Sequence, residues 1–384
     1  MVRLSAYWGF IVIGVGNTMI GPALLSILGT FHVAPSGAGE LFIASTVGYM
    51  LSVLIGGPAS DHFGKRNLLM AGAALYAVGL GGFALAPSWL LAVLALFVGG
   101  LGSGIIDSGM NALANDISAP ERHATEQSLL HAFFGLGALL GPLLIGAFLA
   151  ARHGWRPAFA VAAVGSALLL LLLLRVRLAP RPIPDGGVSV RSVAALAANR
   201  LVILLGVLIG LYVGEELVIG DWAAAYLQRI QHLDSVTAAT SLSLFWGGLA
   251  VGRLLSALLS RWFSGDTLLF GTTVFSFVAS LGLLLAPSAP LALVALTCCG
   301  LGYAAVFPLL MALAGERFPE VSGSVAGLLI AAASFVGAVL PWISGVLVQA
   351  FDARAALAFT PVCAAGIFCV LLLLRQDRYP IPAR

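Results

Sequence analysis

Residues 89–114 read WLLAVLALFVGGLGSGIIDSGMNALA, an apolar run in which Asp107 is the only charged residue. A helix needs about 20 mostly apolar residues to cross the hydrocarbon core of a bilayer, and this run is long enough. Residues 289–314 read APLALVALTCCGLGYAAVFPLLMALA and carry the same Gly-Leu-Gly and Ala-Leu-Ala signals at matching positions. The two runs therefore predict membrane-spanning helices that belong to an internal repeat.

The composition of the whole chain agrees with a membrane location. Hydrophobic residues make up 60% of the 384 positions and charged residues 9%, whereas a soluble domain carries about 25% charged residues. Because so few charged residues cannot cover a water-facing surface, most of the surface is predicted to face lipid. The net charge of +3 gives no support to nucleic-acid binding. The four cysteines lie in apolar runs without CxxC spacing, which favours buried apolar side chains over disulfides or metal ligands.

Twelve apolar runs, broken by Pro, Gly or charged residues, are long enough to span a membrane. Because lipid offers no hydrogen-bond partners to the backbone, runs of this length predict helices. We call them span 1 to span 12, at 5–29, 37–60, 67–86, 89–114, 126–150, 156–176, 200–228, 235–260, 266–286, 289–314, 322–349 and 354–375. The first run is too long for the core of a signal peptide, so we expect it to be retained as a membrane helix.

The longest polar stretch, RVRLAPRPIPDGGVSVRSVAALAANR, separates span 6 from span 7. It is rich in Arg, Pro and Gly and predicts a cytoplasmic linker between two halves. The predicted fold is an all-α membrane protein in which twelve transmembrane helices form two pseudo-symmetric six-helix bundles. The N-terminal bundle covers 1–176, the linker 177–199, and the C-terminal bundle 200–384, which ends in a short cytoplasmic tail.

The distribution of cations predicts the orientation. With the N-terminus in the cytoplasm, fifteen of the 19 Lys and Arg residues fall on the cytoplasmic side. The four on the outer side are Arg152, Arg156, Arg229 and Arg354. Cytoplasmic loops of membrane proteins carry an excess of Lys and Arg. We therefore predict a multi-pass protein of the cytoplasmic (plasma or inner) membrane with both termini in the cytoplasm.

The internal repeat extends beyond spans 4 and 10. GALLGPLLIG from Gly137 corresponds to GAVLPWISG from Gly337, and Gly48 corresponds to Gly248. A shift of six spans keeps each matching pair in the same direction across the membrane, so the repeat is parallel. Transporters built from parallel repeats bind their substrates near the middle of the membrane.

The loop between spans 2 and 3 reads GGPASDHFGKR. It resembles the signature loop of the major facilitator superfamily, and the matching residues are Gly57, Asp61, Gly64, Lys65 and Arg66. The resemblance implies a loop that latches the two halves together on the cytoplasmic side. Glycine permits a tight turn, and an acid can meet a helix N-terminus or an arginine. The alternative is that the loop only carries positive-inside charge. The copy in the second half is degenerate, with Arg261 in place of the acid.

Four further segments resemble the fucose–glucose–galactose symporter branch of that superfamily. They are GLGSGIIDSGMNALAND in span 4, LLHAFFGLGALLGPLL in span 5, GEELVIGDWAAAYL in span 7 and FWGGLAVGRLL in span 8. The resemblance implies a transporter that moves a sugar or a related small polar metabolite by alternating access, coupled to H⁺ or Na⁺. One departure concerns span 1, where the fucose permease has a carboxylate. Here the segment VGNTMIGP has Asn17 and no acid, which counts against proton coupling at that place.

Charged side chains inside a span are costly and usually face a cavity, so each is a candidate for function. Asp107 and Asn111 are four residues apart and share one face of span 4. The repeat has Phe307 in place of Asp107, so the fold does not require a carboxylate there. The resemblance implies proton handling by Asp107 and a sugar contact by His131 in span 5. The alternatives are a structural hydrogen bond for Asp107 and a packed side chain for His131.

Span 7 contains two adjacent acids, Glu215 and Glu216. Adjacent residues on a helix point about 100° apart, so the two cannot face one cavity equally. One is expected to meet substrate, a cation or a proton, and the other a neighbouring helix. The predicted coupling residues are Asp107, Glu215 and Glu216. The predicted substrate contacts are Asn17, Asn111, His131, Glu215, Trp222, Trp246 and Tyr303, because amides and acids bind hydroxyls and aromatic rings stack on sugars.

A rival interpretation is a proton-coupled exporter of drugs or amphipathic compounds. Gly137, Gly141, Pro142 and Gly146 in span 5 resemble the glycine–proline motif of drug–proton antiporters, although small residues also permit close helix packing. An enzyme is not expected, because no nucleophile–base set or metal cluster at one depth is convincing, and a Walker-type nucleotide motif is absent from the sequence. We expect a monomer without a cofactor, whose partners are a small-molecule substrate, the lipid bilayer and a coupling ion.

Overall fold

The computed structural model describes residues 1–118, 123–176, 196–318 and 321–376. Within these ranges the side chains at 54, 57–62, 115–116, 123–125, 128 and 322–323 are not described. Helices account for every regular element in the ranges, and they occur at all twelve predicted spans. The all-α architecture predicted from the apolar runs is confirmed.

The helices follow one another in the order of the predicted spans. Span 1 consists of Val2–Asn17 and Ile20–Phe31, and spans 2 to 6 are Ala38–Phe63, Lys65–Leu85, Trp89–Ile117, His123–Ala150 and Arg156–Leu174. Spans 7 to 9 are Arg200–Arg229, Ser235–Leu259 and Gly265–Leu284. Span 10 consists of Ala289–Tyr303 and Val306–Arg317, span 11 is Ser322–Ala350, and span 12 consists of Ala353–Leu357 and Phe359–Gln376. In these described ranges, ten helices are long and apolar enough to cross a membrane, or eleven if the two parts of span 1 form one span.

Span 1, predicted as one continuous run, is broken where the sequence reads Asn17-Thr18-Met19, and its two helices meet at 46°. The Thr18 hydroxyl lies 2.9 Å from the carbonyl oxygen of Gly14 and 3.1 Å from that of Ala138 in span 5. Hydroxyls that bond to the preceding turn bend helices. The break leaves Asn17 exposed, and neighbouring helices supply the partners that freed polar groups need in a membrane.

Each half has the same pattern of helix contacts. In the N-terminal half, span 1 packs on span 5, span 3 on span 6, and span 4 on span 3. In the C-terminal half, span 7 packs on span 11, span 9 on span 12, and span 10 on span 9. The second set is the first set moved on by six spans. Two pseudo-symmetric six-helix bundles account for this correspondence.

The repeated glycines lie where helix backbones touch. A Cβ atom at Gly100 in span 4 would meet the carbonyl oxygen of Ser45 in span 2. A Cβ atom at Gly300 in span 10 would likewise meet the carbonyl oxygen of Phe245 in span 8. Small residues let helix backbones approach closely in membranes. The same backbone contact therefore occurs in both bundles, at positions that correspond in the repeat.

The glycines of span 5 that resemble the antiporter motif also lie at a helix contact. A Cβ atom at Gly137 would meet the carbonyl oxygen of Ile11, and one at Gly141 would meet the hydroxyl of Thr18. Both neighbours belong to span 1, so these two glycines allow span 1 to pack closely on span 5. Close packing alone explains why they are small.

Contacts divide the chain into two compact units, Met1–Ile183 with Asp234–Ser243, and Pro184–Leu233 with Leu244–Arg384. The first part of span 8 thus belongs to the first unit, although the predicted boundary assigns the whole span to the C-terminal bundle. Residues 177–195 of the predicted linker (177–199) lie outside the described residues, and so does the predicted tail from residue 377. The domain boundaries stay predictions.

Candidate functional site

Polar and aromatic side chains from four spans of the N-terminal bundle meet around Asp107. Asp107 Oδ2 accepts a 2.6 Å hydrogen bond from the Tyr49 hydroxyl in span 2, and Oδ1 accepts one of 2.9 Å from the Asn111 amide. His131 in span 5 interacts electrostatically with Asp107, and its ring meets that of Phe10 in span 1 edge-on at 5.6 Å. Each carboxylate oxygen of the half-buried acid therefore has a donor. We call Tyr49, Asp107, Asn111 and His131 the Asp107 cluster.

The sequence indicated three members of the Asp107 cluster and missed Tyr49. It also missed Gln127 in span 5, whose amide donates a 3.0 Å hydrogen bond to the backbone oxygen of Asn111. A tyrosine directly after the repeated Gly48 was the available signal, because a hydroxyl deep inside a span needs a partner. Of the predicted substrate contacts in this bundle, His131 is exposed and Asn111 is half-buried.

Asn17, the predicted substrate contact in span 1, lies at the break between the two helices of that span. Its side-chain oxygen accepts a 3.1 Å hydrogen bond from the hydroxyl of Tyr76 in span 3. Its side chain is exposed. The break thus places an amide on an accessible surface of the bundle, with its orientation fixed by Tyr76.

A second polar group joins span 1 to span 5. The buried acid Glu126 forms a 2.8 Å ion pair with Arg3 and accepts a 2.9 Å hydrogen bond from the Tyr7 hydroxyl. The Tyr7 ring stacks on Phe133 with centroids 4.5 Å apart. The sequence did not indicate this group, because an acid at the end of an apolar run is typical of a solvated charge.

The signature loop is described only in part. Gly64 has a φ of 81°, a backbone conformation that favours glycine, which explains its place in the motif. Arg66 donates hydrogen bonds of 3.1 Å and 2.7 Å to the carbonyl oxygens of Leu173 and Leu174, at the end of span 6. Lys65 begins span 3, whereas the predicted latch residues Gly57 and Asp61 lie outside the described side chains. The latch between halves therefore stays a prediction.

Glu215, the first acid of span 7, points into the interior of the C-terminal bundle. It is completely buried, and neither carboxylate oxygen has a hydrogen-bond partner among the residues that the structure describes. Electrostatic interactions connect it to Cys299 and Tyr303 in span 10 and to Cys363 in span 12. The thiols of Cys299 and Cys363 and the phenol of Tyr303 therefore lie within electrostatic range of Glu215.

Glu216, the second acid, has different surroundings. It is half-buried and interacts electrostatically with the guanidinium of Arg253 in span 8. The two adjacent acids of span 7 therefore have different neighbours. Glu215 faces spans 10 and 12, and Glu216 faces a cation on span 8.

The predicted aromatic contacts of the C-terminal bundle are buried in helix packing. Trp222 is completely buried, and its indole N–H donates a 3.1 Å hydrogen bond to the carbonyl oxygen of Pro341 in span 11. Trp246 and Tyr303 are buried on either side of Phe245, with ring centroids 5.1 Å and 6.0 Å away. In this structure Trp222 does not line an accessible surface, because its ring and its N–H are both used between spans 7 and 11.

The cysteines do not all occupy the buried positions predicted for them. Cys299 and Cys363 are buried and Cys298 is half-buried, but Cys369 is exposed. The prediction is wrong for Cys369, because an apolar residue in a span can face lipid as well as the bundle interior. Within the described ranges, no three His, Cys, Asp or Glu side chains are grouped in a way that could hold a metal ion.

Comparison with known proteins gives the family. The chain matches the family model described as Major Facilitator Superfamily over residues 6–341. It is 25% identical over 380 residues to the yeast Bypass of stop codon protein 6, covering 88% of this chain and 75% of that one. It is 24% identical to the Bacillus subtilis glucose/mannose transporter GlcP, covering 89% and 86%. It is 23% identical to the mouse sodium-dependent glucose transporter 1A, covering 89% and 88%.

Solved structures agree with the fold. A bacterial homologue of the human lysosomal transporter Spinster superimposes with a TM-score of 0.83 at 16% identity, covering 99% of this chain and 98% of that chain. The D-xylose–proton symporter superimposes with a TM-score of 0.76 at 18% identity, covering 100% and 98%. Identities this low show the fold alone. Together with the family match, they confirm the superfamily and the fold that the signature loop and the repeat predicted. This chain belongs to the Major Facilitator Superfamily, a family of multi-pass membrane transporters rather than enzymes.

Proposed function

We propose that this protein is a secondary active transporter that moves a sugar or a related small polar metabolite across the cytoplasmic membrane. Transport proceeds by alternating access, the mechanism expected of transporters built from parallel repeats. Substrate movement is coupled to H⁺ or Na⁺. Both termini lie in the cytoplasm, and the protein works as a monomer without a cofactor or a nucleic-acid partner.

The observation that carries this proposal is the Asp107 cluster. It sets a carboxylate, a phenol, an amide and an imidazole side by side within a bundle whose interior is mostly apolar. Sites for small molecules are mostly apolar, and a few placed polar groups fix orientation and specificity. Each hydroxyl of a sugar both donates and accepts, so a cluster with both kinds of group suits it. The repeat has Phe307 in place of Asp107, so the cluster is not a requirement of the fold.

The relatives support the same substrate class. Two proteins that resemble this chain over most of its length are named as transporters of glucose, or of glucose and mannose. A third, which matches 42% of the chain at 27% identity, is named as a D-xylose transporter. Since one name specifies sodium and others specify no ion, the names favour neither H⁺ nor Na⁺.

Flux measurements in proteoliposomes test the proposal. The purified protein is reconstituted, and uptake of labelled glucose, mannose, xylose and fucose is followed with no gradient, with a pH gradient and with a Na⁺ gradient. We expect one of the gradients to drive accumulation of at least one sugar. Asn111→Ala is expected to abolish that uptake, because it removes both an amide of the Asp107 cluster and a donor to its carboxylate.

Asn67→Ala is the matched control. Asn67 is exposed, and among the described residues its amide donates to the backbone oxygen of Phe63 one turn earlier, so uptake should not change. If neither gradient drives flux of any sugar, the proposal is wrong. If the vesicles instead expel an amphipathic dye when a pH gradient is applied, the rival exporter function is the correct one.

A further inference from the structure

Span 7 buries an acid that no hydrogen-bond donor reaches. Glu215 has no exposed surface, and neither Oε1 nor Oε2 finds a partner in the part of the chain that is described. Span 11 packs on span 7, and its apolar side chains Val336 and Leu340 lie against Gly214, the residue before Glu215. In the described part of the bundle, the Arg253 guanidinium interacts with Glu216 rather than with Glu215.

The titratable groups near Glu215 come from three spans. Glu216 is its neighbour on span 7, Cys299 and Tyr303 face it from span 10, and Cys363 faces it from span 12. An ionised carboxylate in an apolar interior is very costly unless it is paired or hydrogen-bonded. None of these four groups carries the positive charge that an ionised Glu215 would require. The surroundings therefore suit a neutral carboxylic acid.

Asp107 and Glu216, two other acids of the spans, have partners that Glu215 lacks. Asp107 accepts a hydrogen bond on each oxygen, from Tyr49 and Asn111, as an ionised carboxylate does. Glu216 interacts with the permanently charged Arg253. Of these three acids, only Glu215 lacks both a donor and a cation.

The helix that faces Glu215 is broken beside it. Span 10 ends its first helix at Tyr303 and starts its second at Val306. Pro308 explains the break, because proline has no N–H to bond to the carbonyl oxygen four residues earlier, at Ala304. The interruption is local, because Ala289–Arg317 remains one span of 29 residues.

We infer that Glu215 is a proton-binding site inside the C-terminal bundle, which holds a proton while it is buried and releases it when water reaches spans 7 and 10. In the release step the carboxylic O–H bond breaks, water takes the H⁺, and hydration stabilises the carboxylate that remains. Nothing is oxidised or reduced. A metal-ion site fits less well, because hard cations are held by shells of several oxygen ligands, whereas two of the four titratable neighbours of Glu215 are thiols and the Glu216 carboxylate interacts with Arg253.

Only one part of the inference rests on the proposed function, namely that H⁺ rather than Na⁺ is the coupling ion. The bound proton itself is tested without substrate. Infrared spectra of the purified protein in lipid at neutral pH separate the C=O stretching band of a carboxylic acid from the bands of ionised carboxylates. We expect an acid band that Glu215→Gln removes, while Glu216→Gln and Asp107→Asn leave it in place.

An acid band that Glu215→Gln leaves undiminished, or the absence of any acid band in the unaltered protein, overturns the inference. If Glu215→Gln yields no folded protein, Glu215→Asp keeps the acid and must shift the position of the band. An unmoved band in that variant also overturns it.

Transport measurements test the coupling. We expect Glu215→Gln to abolish accumulation driven by a pH gradient, and sugar flux down its own gradient to lose its dependence on pH. Accumulation by Glu215→Gln at the level of the unaltered protein overturns the coupling part. If no sugar is transported at all, the proposed function fails, but the infrared band still decides whether Glu215 binds a proton.

Discussion

The hydrogen bond between Tyr49 and Asp107 tests whether Asp107 is ionised, in contrast to the neutral acid inferred at Glu215. Its length of 2.6 Å is typical of a hydroxyl that donates to an ionised carboxylate, for which about 2.5–2.7 Å is usual. Hydrogen bonds to charged groups contribute about 1.5–3 kcal/mol to the free energy of unfolding, and neutral ones about 0.5–1.5 kcal/mol. A double-mutant cycle with Tyr49→Phe and Asp107→Leu should therefore give a coupling free energy of about 2 kcal/mol.

The same bundle offers a neutral control pair. Tyr76 donates a 3.1 Å hydrogen bond to the side-chain oxygen of Asn17, so the same tyrosine substitution removes a bond to an uncharged acceptor. The cycle of Tyr76→Phe with Asn17→Leu should give a coupling of about 1 kcal/mol or less. The comparison of the two cycles isolates the charge, because donor, bundle and type of substitution are matched.

The assay is reversible unfolding in mixed detergent micelles, followed by tryptophan fluorescence for each single and double variant. In a thermal scan, a loss of about 1 kcal/mol lowers the midpoint by about 2–4 °C for a unit of about 150–250 residues. Tyr49→Phe should thus lower it by about 4–8 °C, twice the effect of Tyr76→Phe. Equal coupling in the two cycles would refute an ionised Asp107, and with it the contrast to Glu215.

Three further predictions concern the repeat, a loop and the signature arginine. Gly100→Ala and Gly300→Ala should each destabilise the protein by about 1–3 kcal/mol, because a Cβ meets backbone atoms that cannot move aside. Gly271→Ala, where nothing lies within 4 Å, should cause no loss in the same thermal scan, and a similar loss there would contradict the packing argument. Hydrogen bonds from Thr237, followed by those from the backbone, hold the pKa of Asp234 below its usual value at the start of span 8. Because this pKa is lowered on folding, its stabilising effect is present above about pH 4 and is lost as the pH falls below that. Hydrogen exchange at 235–240 should therefore rise at low pH in the unaltered protein but not in Asp234→Asn. Equal pH dependence in both would exclude a stabilising role for the Asp234 carboxylate at the start of span 8. Arg66→Ala should remove the hydrogen bonds to the carbonyl oxygens of Leu173 and Leu174 and lower the free energy of unfolding by about 1 kcal/mol. Hydrogen exchange at the end of span 6 should become faster. Unchanged exchange there would show that Arg66 does not stabilise the end of that helix.

Much of the fold follows from the sequence by itself. Apolar runs of the required length predict the spans, because a backbone in lipid has few ways to satisfy its hydrogen bonds. The match between Gly100 and Gly300 predicts two similar bundles, because a glycine that touches a neighbouring backbone is needed wherever that contact occurs. Asp107 and Asn111 are placed on one face by helix geometry alone, four residues apart. These features depend on local periodicity, which can be seen directly in the order of the residues.

The partners of the buried acids depend on which helices pack together. Tyr49 lies 58 positions from Asp107, and no period in the sequence connects them. Helix geometry separates Glu215 from Glu216 by about 100°, but it does not determine which of them faces Arg253. Only the packing of span 7 against spans 8, 10 and 12 turns Glu216 toward a cation and leaves Glu215 with thiols and a phenol. The order of residues shows which spans contain a charged side chain. Which of those side chains has a partner depends on the tertiary structure, because the partners come from helices that are distant along the chain.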